Sequence, residues 1–143
     1  MTSPDQSELE KLRAKIDDID RKLLQLINAR AEVAVDVGRV KRAIDAEPVF
    51  YRPEREAKIL RSVAEANPGP LPDAEATRLM REVMSACLAM ENPLTVAYLG
   101  PDGTYTHIAA LKQFGGSVKT SPQPSIEDIL RAVEVGSVDF GVV

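Results

Sequence analysis

Residues 9–44 read LEKLRAKIDDIDRKLLQLINARAEVAVDVGRVKRAI. Leu9, Leu12, Ile16, Ile19, Leu23, Leu26, Val33, Val37, Val40 and Ile44 step by three and four, which places them on one seam of one long helix. Ser7 and Glu10 have the spacing of a capping box at its start, and Ser3-Pro4 with Gln6 offers an alternative start. Gly38 weakens the helix without ending it. At 1.5 Å per residue the helix is roughly 50 Å long, whereas a compact domain of about 100 residues has a radius of gyration near ~13 Å. An apolar stripe of that length is expected to stay unburied in a monomer, and a helical partner chain is the simplest cover for it.

Downstream, Asp45 to Arg52 is a loop containing Pro48. Pro53 suits a helix start and is followed by Glu54, Arg55 and Glu56. Ile59, Leu60 and Val63 give that shorter helix its apolar face, and Asn67-Pro68-Gly69-Pro70 ends it. Asp73 can cap a third helix carrying Leu79, Met80, Val83, Met84, Cys87 and Leu88, stopping near Asn92-Pro93. The pattern then changes. Thr95–Leu99 reads as a buried strand, Gly100-Pro101-Asp102-Gly103 as a tight turn, and Thr104–Phe114 as a helix. Val118 and Lys119 form a short strand. Ser125 and Asp128 cap a helix from Ile126 to Val135, Gly136 closes it, and Val138–Val143 is a strand. The expected order is three helices, then βαβαβ.

Composition narrows the function classes. The 143 residues carry 18 basic and 22 acidic side chains, a net charge of -4, which disfavours nucleic acid as a partner. Cys87 is the only cysteine and His107 the only histidine, so neither an internal disulfide nor a zinc site is expected. MTSPDQSELEK lacks the apolar core of a signal peptide, and no run is long enough to span a bilayer. A cytoplasmic protein is expected.

Several charges break the apolar pattern. Arg30 falls on the seam where an apolar residue belongs. It requires an anion, either a glutamate in a buried ion pair or a bound ligand. Arg13 and Lys41 flank the same stripe and read equally well as solvated or snorkelling side chains. Glu91 ends the stripe that runs through Met80, Met84 and Cys87; it is either paired or a helix-end residue reaching water. Arg55 and Glu56 by themselves are an ordinary charged first turn, and Cys87 by itself is a small buried hydrophobe. The Gly100–Thr104 turn can offer amides to an anion or serve only as a strand-to-helix turn. It lacks the Lys-Ser/Thr of a Walker loop.

Four stretches, LRAKIDDIDRKLLQLINAR (12–30), VAVDVGRVK (33–41), VFYRPEREA (49–57) and RLMREVMSACLAME (78–91), resemble the all-helical chorismate mutases. VAYLGPDGTYTHIAAL (96–111) and SIEDILRAVEVGSVDFGVV (125–143) resemble the opening of prephenate dehydratase. Together, in this order, they resemble the bifunctional enzyme of phenylalanine biosynthesis. The resemblance implies an all-α, three-helix chorismate mutase domain over 1–92 that forms an intertwined homodimer. It implies an incomplete α/β, βαβαβ part of a prephenate dehydratase domain over 93–143. The dehydratase family carries its catalytic Thr-Arg-Phe motif further along, so no dehydratase activity is expected from these residues alone.

The implied reaction converts chorismate to prephenate without metal or cofactor. Position by position, the resemblance puts Arg13, Arg30, Lys41, Arg55, Glu56 and Glu91 in the substrate site. Arg52 and Cys87 also align with site positions but depart from the commonest residues, aspartate and serine. Many relatives have glutamine in place of Glu91. The implied roles are carboxylate clamps for Arg13 and Arg30, hydrogen bonds to the breaking ether for Lys41 and Glu91, and an acceptor for the substrate hydroxyl in Glu56. A glutamate donates only when protonated; as an anion, Glu91 would instead orient Lys41. Arg13 and Arg30 are 17 positions apart, roughly 25 Å along one helix, so Arg13 is expected to enter the site from the partner chain. The competing class is a non-catalytic helical dimerisation or regulatory module, which the heptad stripe alone would satisfy.

Overall fold

The computed structural model describes residues 4–143. Its elements are α1 (Pro4–Ile44), α2 (Pro53–Ala66), α3 (Asp73–Glu91), β1 (Thr95–Leu99), α4 (Tyr105–Phe114), β2 (Lys119–Gln123), α5 (Ile126–Glu134) and β3 (Phe140–Val142). Three helices precede a small βαβαβ unit, as the patterning indicates. Two helix starts differ from expectation. Ser7 lies inside α1, so the Ser7–Glu10 box does not cap it; Ser3 of the alternative start lies outside the described residues. Asp73 is the first residue of α3 and Pro72 is its cap. The Asp73 carboxylate instead accepts from Asn67 Nδ2 at 2.8 Å, tying the Asn67–Pro72 turn to the helix it precedes.

α3 packs against both α1 and α2. At about 1.5 Å per residue its 19 residues reach less than half the length of the 41-residue α1. Much of the α1 seam therefore remains in solvent: Ile16 is 56% exposed, Leu23 51% and Leu26 69%. No helix among the described residues is long and apolar enough to cross a membrane.

The sheet order is β2-β1-β3, with both pairings parallel. β1 is central and its Val96, Ala97 and Tyr98 are fully buried. Alternate side chains of a strand face opposite ways. Ala97 packs with Ile129 of α5 and with Val138, while the Tyr98 ring stacks on His107 of α4 with centroids 4.5 Å apart. The two helices thus cover opposite faces of the strand, which explains why TVAYL reads as a continuous rather than an alternating apolar run. β2 runs further than Val118–Lys119 and includes Pro122; as an edge strand it tolerates a residue with no N–H. The Ser125 cap forms as expected: its Oγ accepts from Asp128 N at 3.1 Å and donates to the Asp128 carboxylate at 2.6 Å.

The α/β unit is joined to the helices through α3. Arg81 Nη1 donates to the Lys112 carbonyl at 2.7 Å, Gly116 N donates to Glu82 Oε2 at 3.0 Å, and Ser117 N donates to Ser85 Oγ at 3.2 Å. Gly115 makes this approach possible. Its φ is +79°, and a methyl group there would stand 2.4 Å from Ser85 Cβ. Gly115→Ala combines backbone strain with overpacking and is expected to lower stability by about 2 kcal/mol or more, read as a shift of the urea midpoint at unchanged slope. An unshifted midpoint would show that this junction adds little to the fold.

Candidate active site

A cleft of about 500 Å³ opens between α1, α2, α3 and the 45–52 connector. Arg30 and Lys41 come to it from α1, Arg52 from the connector, Arg55 and Glu56 from the first turn of α2, and Cys87 and Glu91 from α3. Seven of the eight residues singled out in the sequence therefore line one cavity. The eighth, Arg13, is exposed on the distant half of α1. Apolar wall is supplied by Val33, Val37, Ile59, Met84 and Leu88.

The floor of the cleft is an ion pair. Lys41 Nζ lies 2.8 Å from Glu91 Oε1, with the two side chains only 25% and 10% exposed. Lys41 also donates to the Phe50 carbonyl at 3.4 Å. An ammonium has three N–H donors, so one is left for a ligand. The C-terminal end of α3 is fixed from below as well: Arg42 Nη2 donates to the backbone oxygen of Glu91. Gly38 allows this approach, since a methyl group there would come within 2.9 Å of Glu91 Cγ. A glycine that costs the helix about 1 kcal/mol by propensity thus seats the carboxylate.

Arg30 and Arg55 have no ion-pair partner among the described residues, and Arg52 has only a long 3.8 Å contact with the exposed Glu54. A glutamate paired with Arg30, one of the two readings of the seam, is not present among the described residues. Half-buried in the cavity wall, Arg30 points to an anion supplied from outside the chain. Burial pushes the Glu56 carboxyl above the ordinary carboxylate range, and the positive charge of Arg81 partly opposes this.

Two wall residues are missed by charge-based reasoning: Phe50 and Tyr51. The Tyr51 ring is 8% exposed and sits 5.2 Å from Phe114 and 5.3 Å from Phe140, centroid to centroid. Its hydroxyl accepts from Gln113 Nε2 at 3.2 Å. A signal existed, because the chain has only three Phe and three Tyr, and Phe50-Tyr51 puts two of them in adjacent positions.

The cleft is thus an all-helical framework with a cationic lining and a Lys–Glu pair at its floor. The chorismate mutase type II profile matches residues 12–92, and the chain belongs to that family. The prephenate dehydratase profile matches residues 96–143. Among curated proteins, the bifunctional chorismate mutase/prephenate dehydratase of Pseudomonas aeruginosa is 54% identical over 142 residues, covering 97% of this chain and 39% of that protein. The protein of the same description from Stutzerimonas stutzeri is 51% identical, with 100% and 40% covered. The chain thus spans about two fifths of the length of these relatives. Among solved structures, a chorismate mutase (form II) from Thermus thermophilus is 30% identical with a TM-score of 0.56, over 59% of this chain and 93% of that one.

The raised Glu56 carboxyl sets a pH dependence. Protonation is favoured in the folded state, so Glu56 weakens folding as pH rises from below the usual value of 4.5 through its raised one. Glu56→Gln removes that loss. The stability of Glu56→Gln relative to wild type is expected to grow with pH across that window and then level off, as followed by urea unfolding at several pH values. A pH-independent difference would show that burial does not govern this carboxylate.

Proposed function

We propose that this chain is a chorismate mutase and rearranges chorismate to prephenate in the α1–α2–α3 cleft, within a bifunctional chorismate mutase–prephenate dehydratase of phenylalanine biosynthesis. The observation that carries the proposal is the unpaired Arg30 beside the Lys41–Glu91 pair in one apolar-walled cavity. The rearrangement is pericyclic, so no nucleophile is required of the protein. It needs a folded substrate and stabilisation of the negative charge that grows on the ether oxygen as the C–O bond breaks. Chorismate carries two carboxylates, and Arg30 is the clamp for one. The free N–H of Lys41 serves the ether oxygen. Glu91, which accepts from Lys41, aims it. Glu56 accepts from the substrate hydroxyl, Arg55 and Arg52 add positive charge at the mouth, and Cys87 shapes the wall.

The proposal includes an intertwined homodimer in which Arg13 of one protomer completes the cleft of the other. Its support is the exposed seam of α1 and the placement of Arg13, far along the same helix from Arg30 and outside the cavity. Within the chain, the proposed division falls between residues 92 and 93, near the gap between the two family matches. A cytoplasmic location accords with a lone, buried, unbridged cysteine.

The test is the loss of chorismate absorbance on adding the purified chain, with phenylpyruvate assayed separately. Arg30→Ala is expected to lower kcat/KM by about thirtyfold to several thousandfold, because a lost partner of a buried charged contact costs about 2–5 kcal/mol. No turnover by the folded chain, or a silent Arg30→Ala, defeats the mutase reading.

Mixing Arg13→Ala and Arg30→Ala chains under exchange tests the composite site. Random exchange makes about half the dimers mixed, each with one intact site of two, so about a quarter of wild-type turnover is expected to return. No recovery, or a fully active monomer in sedimentation, excludes the shared site.

A further inference from the structure

The 45–52 connector has no helix or strand of its own, yet it supplies Phe50, Tyr51 and Arg52 to the cleft wall. Within the helical part its ties are few. Asp45 N bonds the Lys41 carbonyl at its start, Glu47 N bonds the Asp45 carboxylate, and Lys41 reaches the Phe50 carbonyl at 3.4 Å. At its far end the Arg42 guanidinium lies 4.8 Å from the Phe50 ring centroid and Glu56 N donates to the Arg52 carbonyl at 3.1 Å, while the hold on Tyr51 between them comes from the α/β unit. Tyr51 is packed against Phe114 of α4 and Phe140 of β3, whose own rings are 5.4 Å apart, and its hydroxyl takes the Gln113 hydrogen bond. The last turn of α4 is itself bolted to α3 by Arg81 on the Lys112 carbonyl. Burial pushes the Tyr51 phenol above its usual range, and the hydrogen bond from Gln113 partly opposes this.

We propose that the last turn of α4 is a positioning element for the mutase cleft: Gln113 and Phe114, with Phe140 behind them, clamp Tyr51 and so hold the connector that carries the Phe50 carbonyl and Arg52. The proposal rests on the mutase reading of the cleft. None of the three residues of the α/β unit lines the cavity. They act through Tyr51, and the part of the chain that resembles a second enzyme becomes a structural part of the first one's site. The effect belongs mainly to substrate binding. Lys41 and Glu91 are held by the α1–α3 contact whether or not the connector is ordered, whereas a loose connector must be ordered each time a ligand binds.

The experiment compares wild type, Gln113→Ala, Phe114→Ala and Phe114→Leu in the full chain, by chorismate kinetics and by hydrogen exchange of the 45–52 amides. If Phe114→Ala leaves the connector ordered about a tenth of the time, KM rises roughly tenfold while kcat changes little. Exchange at 45–52 accelerates and that of α1 and α3 does not. Gln113→Ala is expected to shift both readouts in the same direction but less, and Phe114→Leu to recover most of the loss. A variant that merely lost folded protein would lower kcat at constant KM, and that result, or an unchanged KM, overturns the proposal. If wild type itself turns over no chorismate, the mutase reading fails, and hydrogen exchange decides the positioning: unchanged protection of 45–52 in Phe114→Ala sinks it. Should Phe114→Ala not fold, Gln113→Ala, which removes one hydrogen bond from an exposed residue, carries both readouts.

Discussion

The crossing of α1 and α3 at Gly38, Lys41 and Glu91 is the constraint on which the cleft depends. Two helices approach closely enough for a glycine on one to touch the carboxylate stem on the other. Two cations on α1 then hold that end of α3, one through its side chain and one through its last carbonyl. Taking both charges of a Lys–Glu pair out of water costs several kcal/mol, and their attraction repays this only with good geometry. An apolar pair of similar size would serve stability as well. The retained charges accord with the role proposed for them in the cleft, and the close approach at Gly38 keeps their geometry short and defined.

The charge balance around the cavity carries the same message. Arg30, Lys41, Arg52 and Arg55 face Glu56 and Glu91, and the two anions are not distributed to neutralise the cations evenly. Glu91 serves Lys41 alone, and the positive charge nearest Glu56 that shifts its carboxyl is Arg81, outside the cavity lining. Half-buried Arg30 is left with uncompensated charge in a partly apolar space, whereas Arg55 is exposed. Under the proposed function, a substrate carboxylate compensates that charge and meets its forked donors.

Much of the fold is legible in the sequence because it is coded locally. The three-and-four spacing of α1, Pro53 at the start of α2, Asn67-Pro68-Gly69-Pro70 after it, and the Ser125–Asp128 cap all depend on neighbours a few residues away, and all appear in the structure. The misplaced features depend on partners further off. KTSPQ has little strand character of its own and becomes β2 only because β1 supplies the parallel ladder. Arg30 and Glu91 show themselves as violations of an apolar pattern; Arg52, Arg55, Glu56 and Cys87 do not, and only the family resemblance marks them. The aromatic clamp violates nothing. Tyr51, Phe114 and Phe140 are each ordinary where they stand, and 62 positions separate the Tyr51 hydroxyl from the Gln113 amide that holds it.

The geometry of α1 connects the fold to the proposed chemistry. A 19-residue α3 and a 14-residue α2 span about 28 Å and 21 Å, against about 60 Å for α1, so the chain's own helices can cover no more than half of it. The half that α3 crosses carries Arg30, Lys41 and the close approach at Gly38; the other half carries Arg13 and the seam residues Leu9, Leu12, Ile16, Ile19 and Leu23, all of them exposed. Selection for a monomer would shorten the helix or make its free half polar. In the proposed dimer, a long apolar helix places Arg13 where another copy's cleft can use it. A dianionic substrate has two carboxylates to hold and one helix cannot bend its two arginines together over roughly 25 Å. Under the composite-site proposal, length, apolar seam and separated arginines answer a single requirement, that the second clamp arrive on a different helix.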